Sequence, residues 1–268
     1  MLAHERRSAV LRMVTRVGSA TVAELAAALE VSDMTIRRDL AALAEKRLIE
    51  KVYGGAVLPR RSAIEPHFVA KRSLNAGAKE AIGARAVDLI RDGMTIALSA
   101  GTTTWQVAKQ LDHRFHNLTF ITNSMNVAMA LEDNGWSSVV VSGGSFRTPS
   151  DALVGPFAVQ TLRQLNADLL FLGVDSLDPS VGLTTPNIPE AETDRVLIAG
   201  ARQVVVVADS SKLGQVSLAT FGSLDDVDVL ITDMGADPSI LQSCRAAGLE
   251  VLVVEPVAKP KGVLSQIG

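Results

Sequence analysis

Seven short, uninterrupted apolar runs recur from residue 95 onward, and they limit the possible folds more than any other feature of this chain. They cover 95–98, 118–122, 138–142, 169–173, 204–208, 229–232 and 251–254. Consecutive apolar positions face both sides of a strand, so such runs are expected in strands buried on both faces of a parallel sheet. Amphipathic segments separate them, over 78–90, 103–111, 124–132, 156–165, 190–201 and 238–247. The alternation predicts a three-layer α/β domain of six or seven strands over residues 75–268. A length of 268 residues leaves room for a second, smaller unit before it.

That smaller unit is expected over residues 1–57. Residues 3–17 form a predicted first helix with Val10, Met13, Val14 and Val17 on one face. Thr21 followed three residues later by Glu24 is a capping box that starts a short Ala/Leu-rich helix. Val31 and Ser32 interrupt it. Ser32 then caps a second helix from about Asp33, carrying Ile36, Leu40 and Leu43 at i, i+4 and i+7. Two short helices in this arrangement follow the helix-turn-helix plan. Met34, Thr35, Arg37 and Arg38 are left on or near the free face at the N-terminal end. That end of a recognition helix reaches base edges in the major groove. Residues 48–53 alternate like a strand and Gly54-Gly55 signals a tight turn, so a wing carrying Lys51 and Tyr53 should follow. Together with Ser32, and with Arg6 or Arg7 for backbone phosphate, these are the expected DNA contacts. Residues 58–74 are expected to be a linker that retains apolar residues.

Charge supports this division of labour. Residues 1–61 contain 11 Lys/Arg and 7 Asp/Glu, whereas residues 62–268 contain 15 and 22, which together give the net −3. A basic small unit on an acidic large one fits a polyanion bound through the small one. The lone Cys244 excludes a disulfide framework and a cysteine-rich zinc site, and the four histidines (His4, His67, His113, His116) show no ligand spacing. No apolar run approaches the ~18 residues of a membrane span. The opening MLAHERRSAV lacks the apolar stretch of a secretory signal. The expectation is a cytoplasmic protein without membrane contact, metal or cofactor.

In an open parallel sheet, ligands bind beyond the carboxyl ends of the strands. The first run leads into Ser99-Ala100-Gly101-Thr102-Thr103-Thr104 at a helix start, where hydroxyls and N–H groups offer donors to an anion. The second leads into Asn123-Ser124, and the third into Gly143-Gly144-Ser145-Phe146-Arg147, a flexible pair followed by a cation. The fourth leads to Asp175 and Asp178, and the fifth to Asp209-Ser210-Ser211-Lys212. Phosphate-type donors (Thr102, Thr103, Arg147, Lys212) and hydroxyl-type partners (Asn123, Asp175, Asp209) thus gather at one edge. With Ser99, Gly101, Gly144 and Glu190, they form the expected site for a small phosphorylated polyol or sugar.

The same residues carry a resemblance. TIRRDL at 35–40 followed by YGGA at 53–56 resembles the DeoR family of bacterial repressors of sugar metabolism. AGTTT, TNS, SGGSFR, FLGVD, GLTTP, EAE, ADSSK and DVLITD resemble that family's effector-domain landmarks in the same order, so the likeness spans about residues 5–235. It implies a sensor domain similar in fold to ribose-5-phosphate isomerase and the CoA transferases, with a sugar phosphate as inducer. It also implies that Gly101, Thr102 and Thr103 hold phosphate, that Lys212 neutralises it, and that Asn123, Asp175 and Asp209 face the sugar. Two positions depart from the pattern. Tyr53 stands where members usually have His, and Ser99 stands where they often carry an acid, so the charged contact to a sugar hydroxyl is replaced there.

The fold resemblance raises an enzymatic alternative, a sugar-phosphate isomerase-like enzyme fused to a DNA-binding domain. Residues 174–179, VDSLDP, resemble the acidic loop of ribose-5-phosphate isomerase. Aldose–ketose isomerisation needs a carboxylate base near the reacting carbons and a cation or donor for the enediolate. Residues 180–187 contain no lysine, and Glu190 or Glu192 would act as a base with no electrophile nearby in sequence. The expected function is therefore regulatory and not enzymatic. The expected partners are double-stranded operator DNA and a phosphorylated sugar. A small module with a charge of +4 makes few phosphate contacts, so a homo-oligomer, dimer or tetramer, is expected.

Overall fold

Thr21 starts the second helix as its spacing predicts: its Oγ1 accepts from the Glu24 amide at 3.2 Å, and the Glu24 carboxylate accepts from the Thr21 amide at 2.8 Å. The computed structural model describes residues 3–17, 19–45, 48–52, 54–57 and 68–257. The chain divides into two compact units, Met1–Pro66 and His67–Gly268.

The first unit runs α1 (Ala3–Val17), β1 (Ser19–Thr21), α2 (Val22–Leu29), α3 (Asp33–Glu45), β2 (Glu50–Val52) and β3 (Gly55–Val57). Glu30 in the left-handed region ends α2, and the Ser32 hydroxyl accepts from the Thr35 amide at 3.3 Å to start α3. Val10, Val14, Leu25, Ile36, Leu40 and Leu43 close the core between the helices. The three strands form an antiparallel sheet in the order β1-β3-β2. Of the strand expected over 48–53, residues 50–52 pair with β3, whereas the Leu48 amide closes back on the Leu43 carbonyl at 3.0 Å. Both glycines of the turn are required. Gly54 has φ +81°, and a Cβ on Gly55 would lie 2.4 Å from the Ala20 carbonyl oxygen on β1.

The second unit begins with α4 (Phe68–Ser73) and α5 (Ala76–Val87), so the described part of the expected linker is helical and belongs to this unit. There follow β4 (Thr95–Leu98), α6 (Thr102–Gln110), β5 (Thr119–Thr122), α7 (Met125–Asp133) and β6 (Val139–Val141). A hairpin of β7 (Ser145–Arg147) and β8 (Ala152–Val154) leads to α8 (Pro156–Leu162) and β9 (Leu169–Leu172). Next come β10 (Ser176–Asp178), β11 (Gly182–Thr185), α9 (Ile188–Ala199), β12 (Val204–Val207) and β13 (Ala219–Gly222). The unit ends with β14 (Val229–Asp233), α10 (Pro238–Ala246) and β15 (Glu250–Val254). Among the described residues no helix is long and apolar enough to cross a membrane.

All seven predicted runs are strands of one parallel sheet in the order β15-β14-β12-β9-β4-β5-β6. Successive residues feed opposite faces. Leu170, Leu172, Val204 and Val206 pack with Leu162, Leu197 and Leu241 of α8–α10, while Leu169, Phe171, Val205 and Val207 pack with Ile82, Val107 and Leu131 of α5–α7. The structure adds what the runs did not announce, a β10-β11-β13 antiparallel sheet and the β7-β8 hairpin. Their segments are only three or four residues long, and Leu177, Leu183 and Phe221 carry the β10-β11-β13 sheet into the core with Leu197 of α9.

Strand order locates the ligand edge. The chain moves outward from β4 to β5 and β6, then returns to place β9 on the other side of β4. The loop after β4 therefore leads to α6 on one face, while the chain after β9 passes through β10 and β11 to α9 on the other, and the crevice at which such sheets bind ligands opens between them.

Candidate functional site

In the first unit, α3 turns Ile36, Leu40 and Leu43 inward, which leaves Met34, Arg37 and Arg38 exposed and Thr35 half-buried against Ser32. Lys51 is exposed on β2, and Tyr53 lies outside the described residues. Arg6 and Arg7 do not stand free for phosphate. Arg6 Nε donates to Asp39 Oδ2 at 2.5 Å and Arg7 Nε lies 3.3 Å from Asp39 Oδ1. Asp39 is 4% exposed and sits on the buried stripe of α3. This pair ties the first helix to the recognition helix. A charge at i+3 from Ile36, inside an apolar stripe, was the signal for it in sequence.

In the second unit, the switch point is closed by Ser99. Its Oγ, fully buried, accepts from the Gly173 amide at 2.9 Å and so joins the ends of β4 and β9. Asn123, at the end of β5, is also committed to the scaffold: its Oδ1 accepts from the Ala100 amide at 2.8 Å. These contacts hold the Ala100-Gly101 turn, where Gly101 takes φ +155° and leads into the N-terminus of α6. Thr102 and Thr103 occupy the first turn of that helix, where backbone N–H groups have no intrahelical partner and the dipole favours an anion.

The sensor unit also holds two charge pairs among the expected site residues. Lys212 Nζ lies 3.8 Å from Asp175 Oδ1, and Asp175 Oδ2 accepts from Ser217 at 2.8 Å. Arg147 Nε donates to Glu190 Oε1 at 2.6 Å, where Ser150 also donates at 2.5 Å. The lysine that the acidic loop lacks in sequence is thus supplied in space by Lys212. Gly144 has φ +113°, and a Cβ there would lie 2.6 Å from the Val154 carbonyl oxygen, so it lets the β7-β8 hairpin close. Asp209 is 2% exposed and accepts from Asn75 Nδ2 at 2.8 Å and from Ser211 Oγ at 2.5 Å. Asp151, buried with φ +61°, accepts from the Ser124 hydroxyl and the Asn126 amide, and burial raises its carboxyl above the usual range.

Sequence reading missed Asn75, Asp151, Ser217 and above all Lys79. Lys79 is 5% exposed on the apolar face of α5, with its ammonium 3.8 Å from Asp209 Oδ2. Its signal was the one noted for Asp39: it shares a stripe with Ile82 and Ala86. Burial lowers its pKa from 10.5 to about 8, with Asp209 opposing that shift and Lys212 and Lys71 adding to it. The unfolded chain therefore holds more protons between pH 8 and 10.5. Stability from this group rises with pH across that window, and below it the cost of the buried charge is present in full. Urea unfolding of wild type and Lys79→Met at about pH 7.5 and pH 10 should show the wild type gaining on the variant by on the order of 2 kcal/mol. An unchanged difference would disprove the shift.

Both units match known families. Residues 6–62 match the DeoR-like helix-turn-helix domain, and residues 74–234 match the DeoR C terminal sensor domain. The chain belongs to the DeoR family. It is 39% identical to the HTH-type transcriptional regulator GlpR of Haloferax volcanii, over 97% of this chain and 100% of that protein. It is 35% identical to the HTH-type transcriptional regulator GolR of Listeria innocua, over 95% and 100%. It is 31% identical to the glycerol-3-phosphate regulon repressor of Escherichia coli, over 89% and 94%. Among solved structures, ribose 5-phosphate isomerase A of Methanocaldococcus jannaschii aligns over 52% of this chain and 55% of that one, at 21% identity and a TM-score of 0.39. This DeoR-family chain is thus a DNA-binding transcriptional regulator with an N-terminal helix-turn-helix and a C-terminal sensor.

Proposed function

We propose that this regulator is a repressor of carbohydrate-metabolism genes whose operator affinity is set by a phosphorylated sugar or polyol. The ligand binds at the carboxyl edge of β4, β9 and β12, with its phosphate on the Gly101, Thr102 and Thr103 turn. What supports this reading is an open helix N-terminus after β4 together with the Lys212–Asp175 pair beyond the neighbouring strand β9. The turn and the ammonium suit a phosphate, and Asp175 with Ser217 suits a hydroxyl. Ser99 replaces the acid common in the family, and its hydroxyl already serves the Gly173 amide. Selectivity for the sugar therefore falls to Asp175 and to the Arg147–Glu190 pair.

We read the site as a sensor and not as an isomerase, in keeping with relatives that are named as regulators. Binding changes operator affinity only if the DNA-competent state and its alternative hold the ligand unequally. Recognition helices bind paired half-sites one helical turn apart, so the active species is a homo-oligomer that presents at least two winged units.

Thermal unfolding against a panel of phosphorylated and free sugars tests the reading. A ligand at ~100 times its dissociation constant adds about 2.7 kcal/mol, which raises the midpoint by about 5–10 °C for a unit of this size. The expected result is stabilisation by a phosphorylated compound, absent with its free sugar and lost in Lys212→Ala. Stabilisation that survives Lys212→Ala would remove Lys212 from the site, and no response to any phosphorylated compound would overturn the proposed effector class.

A further inference from the structure

Lys79 is the most deeply buried cation at the carboxyl edge, and its present contacts do not account for it. Long cations are almost never fully buried unless paired, and an ammonium has three donors to satisfy. Among the described residues its ammonium makes one hydrogen bond, to the Lys71 carbonyl at 2.7 Å. Among the described residues Asp209 is the one carboxylate within ion-pair range, at 3.8 Å, and Asn75 and Ser211 already donate to its other oxygen. Lys212 and Lys71 also face Lys79 closely enough to act on its charge. Two ion pairs, Lys79–Asp209 and Lys212–Asp175, thus stand beyond the carboxyl ends of the neighbouring strands β12 and β9.

Lys79 also touches a second element. The carbonyl it caps belongs to α4, the first described helix after the segment that leads, in sequence, from the winged unit. At its other contacts α4 leans on Trp105 of α6: Phe68 meets the indole edge-on at 6.2 Å and the Arg72 guanidinium lies over it at 4.9 Å. Trp105 stands one turn into the helix whose N-terminus is the proposed phosphate cradle. One short helix is therefore held from α5 by Lys79 and from α6 by Trp105.

We propose that Lys79 is a second phosphate-binding cation of the effector site, and that its transfer from the Lys71 carbonyl to the ligand's anionic group releases α4. The inference rests on the effector reading above. An anion offers the ammonium a charged acceptor in place of a neutral carbonyl, and charge-assisted hydrogen bonds are the stronger ones. The carbonyl end of α4 then loses its cap while Trp105 still holds its side. Binding is thus written into the helix adjoining the connector, which is the differential contact that linkage requires.

Inorganic phosphate, the group common to all proposed ligands, is the probe. Calorimetric titration of the full chain should give a dissociation constant that rises about tenfold or more in Lys79→Gln, which keeps a donor for Lys71 but removes the charge. Hydrogen exchange of residues 68–73 should accelerate with phosphate in the wild type, relative to chloride at equal ionic strength, and not in Lys79→Gln. Lys79→Met, checked for folding by its thermal transition, should behave as Lys79→Gln. Unchanged phosphate affinity in both variants, with weakened affinity in Lys212→Ala, would overturn this inference and leave the effector site standing. Equal exchange changes in wild type and Lys79→Gln would overturn the coupling through Lys79. No binding by wild type at about 20 mM phosphate would overturn the effector site and this inference together.

Discussion

Arg38→Ala is expected to abolish measurable operator binding while leaving phosphorylated ligands bound as before. Arg37 and Arg38 are exposed near the N-terminal end of α3, on the face left free by Ile36, Leu40 and Leu43. A bidentate arginine–guanine contact discriminates by ~1–3 kcal/mol, about 5–150-fold, and the loss compounds when two winged units bind together. Fluorescence anisotropy with a duplex selected by the wild-type protein from a random pool is the measurement. Arg37→Ala in parallel separates the two roles: loss of a base contact relaxes one position of the selected site, whereas loss of a phosphate contact weakens all duplexes alike and lowers the salt slope by about one. Unchanged affinity in both variants would remove α3 as the reading element.

Asp39→Ala is expected to have the largest effect on the winged unit's stability, about 3 kcal/mol, because it strips a buried carboxylate from two arginines. Arg6 is mostly buried, at 15% side-chain exposure, so its guanidinium would lose the buried carboxylate it pairs with. Asp39→Asn keeps an acceptor and should cost less. Hydrogen exchange of the α1 and α3 amides reads this directly, independent of the sensor unit. A loss below about 1 kcal/mol would show that the pair is dispensable for folding. The consequence for function is indirect: α3 is aimed by α1 through this contact, so operator affinity should fall in Asp39→Ala even with Arg37 and Arg38 intact.

Elements whose identity depends on local pattern were legible. The parallel strands announced themselves because each is buried on both faces, and α2 and α3 because Thr21, Glu24 and Ser32 cap them within three residues. What was illegible depended on distant partners. The strands β10, β11 and β13 have no periodic signature of their own, and only the fold brings Leu177, Leu183 and Phe221 into the core with Leu197 of α9. Arg6 and Arg7 look like solvated cations in a basic segment, and only the closeness of α1 to α3 reveals Asp39 between them.

The ligand edge divides in the same way. The glycine, threonine, aspartate and lysine at the strand ends could be collected from the sequence because a parallel sheet places every strand's carboxyl end on one side. Which of them face one another could not. Lys212 and Asp175 are 37 residues apart in sequence and meet because β9 and β12 are neighbours, an order that no local feature encodes. Ser99, read as a departure in ligand recognition, proves to join two strands through the Gly173 amide. Lys79 lay in a helix read only as a layer of the fold.

By itself the sequence determined the class of each unit and the kind of chemistry each could carry, because capping, periodicity and runs of apolar residues act over a few neighbouring positions. The tertiary structure alone decided the strand order, the charge pairs and the burial of Asp39 and Lys79. These arise from contacts between residues far apart in the chain, whose energies appear only once the layers have packed.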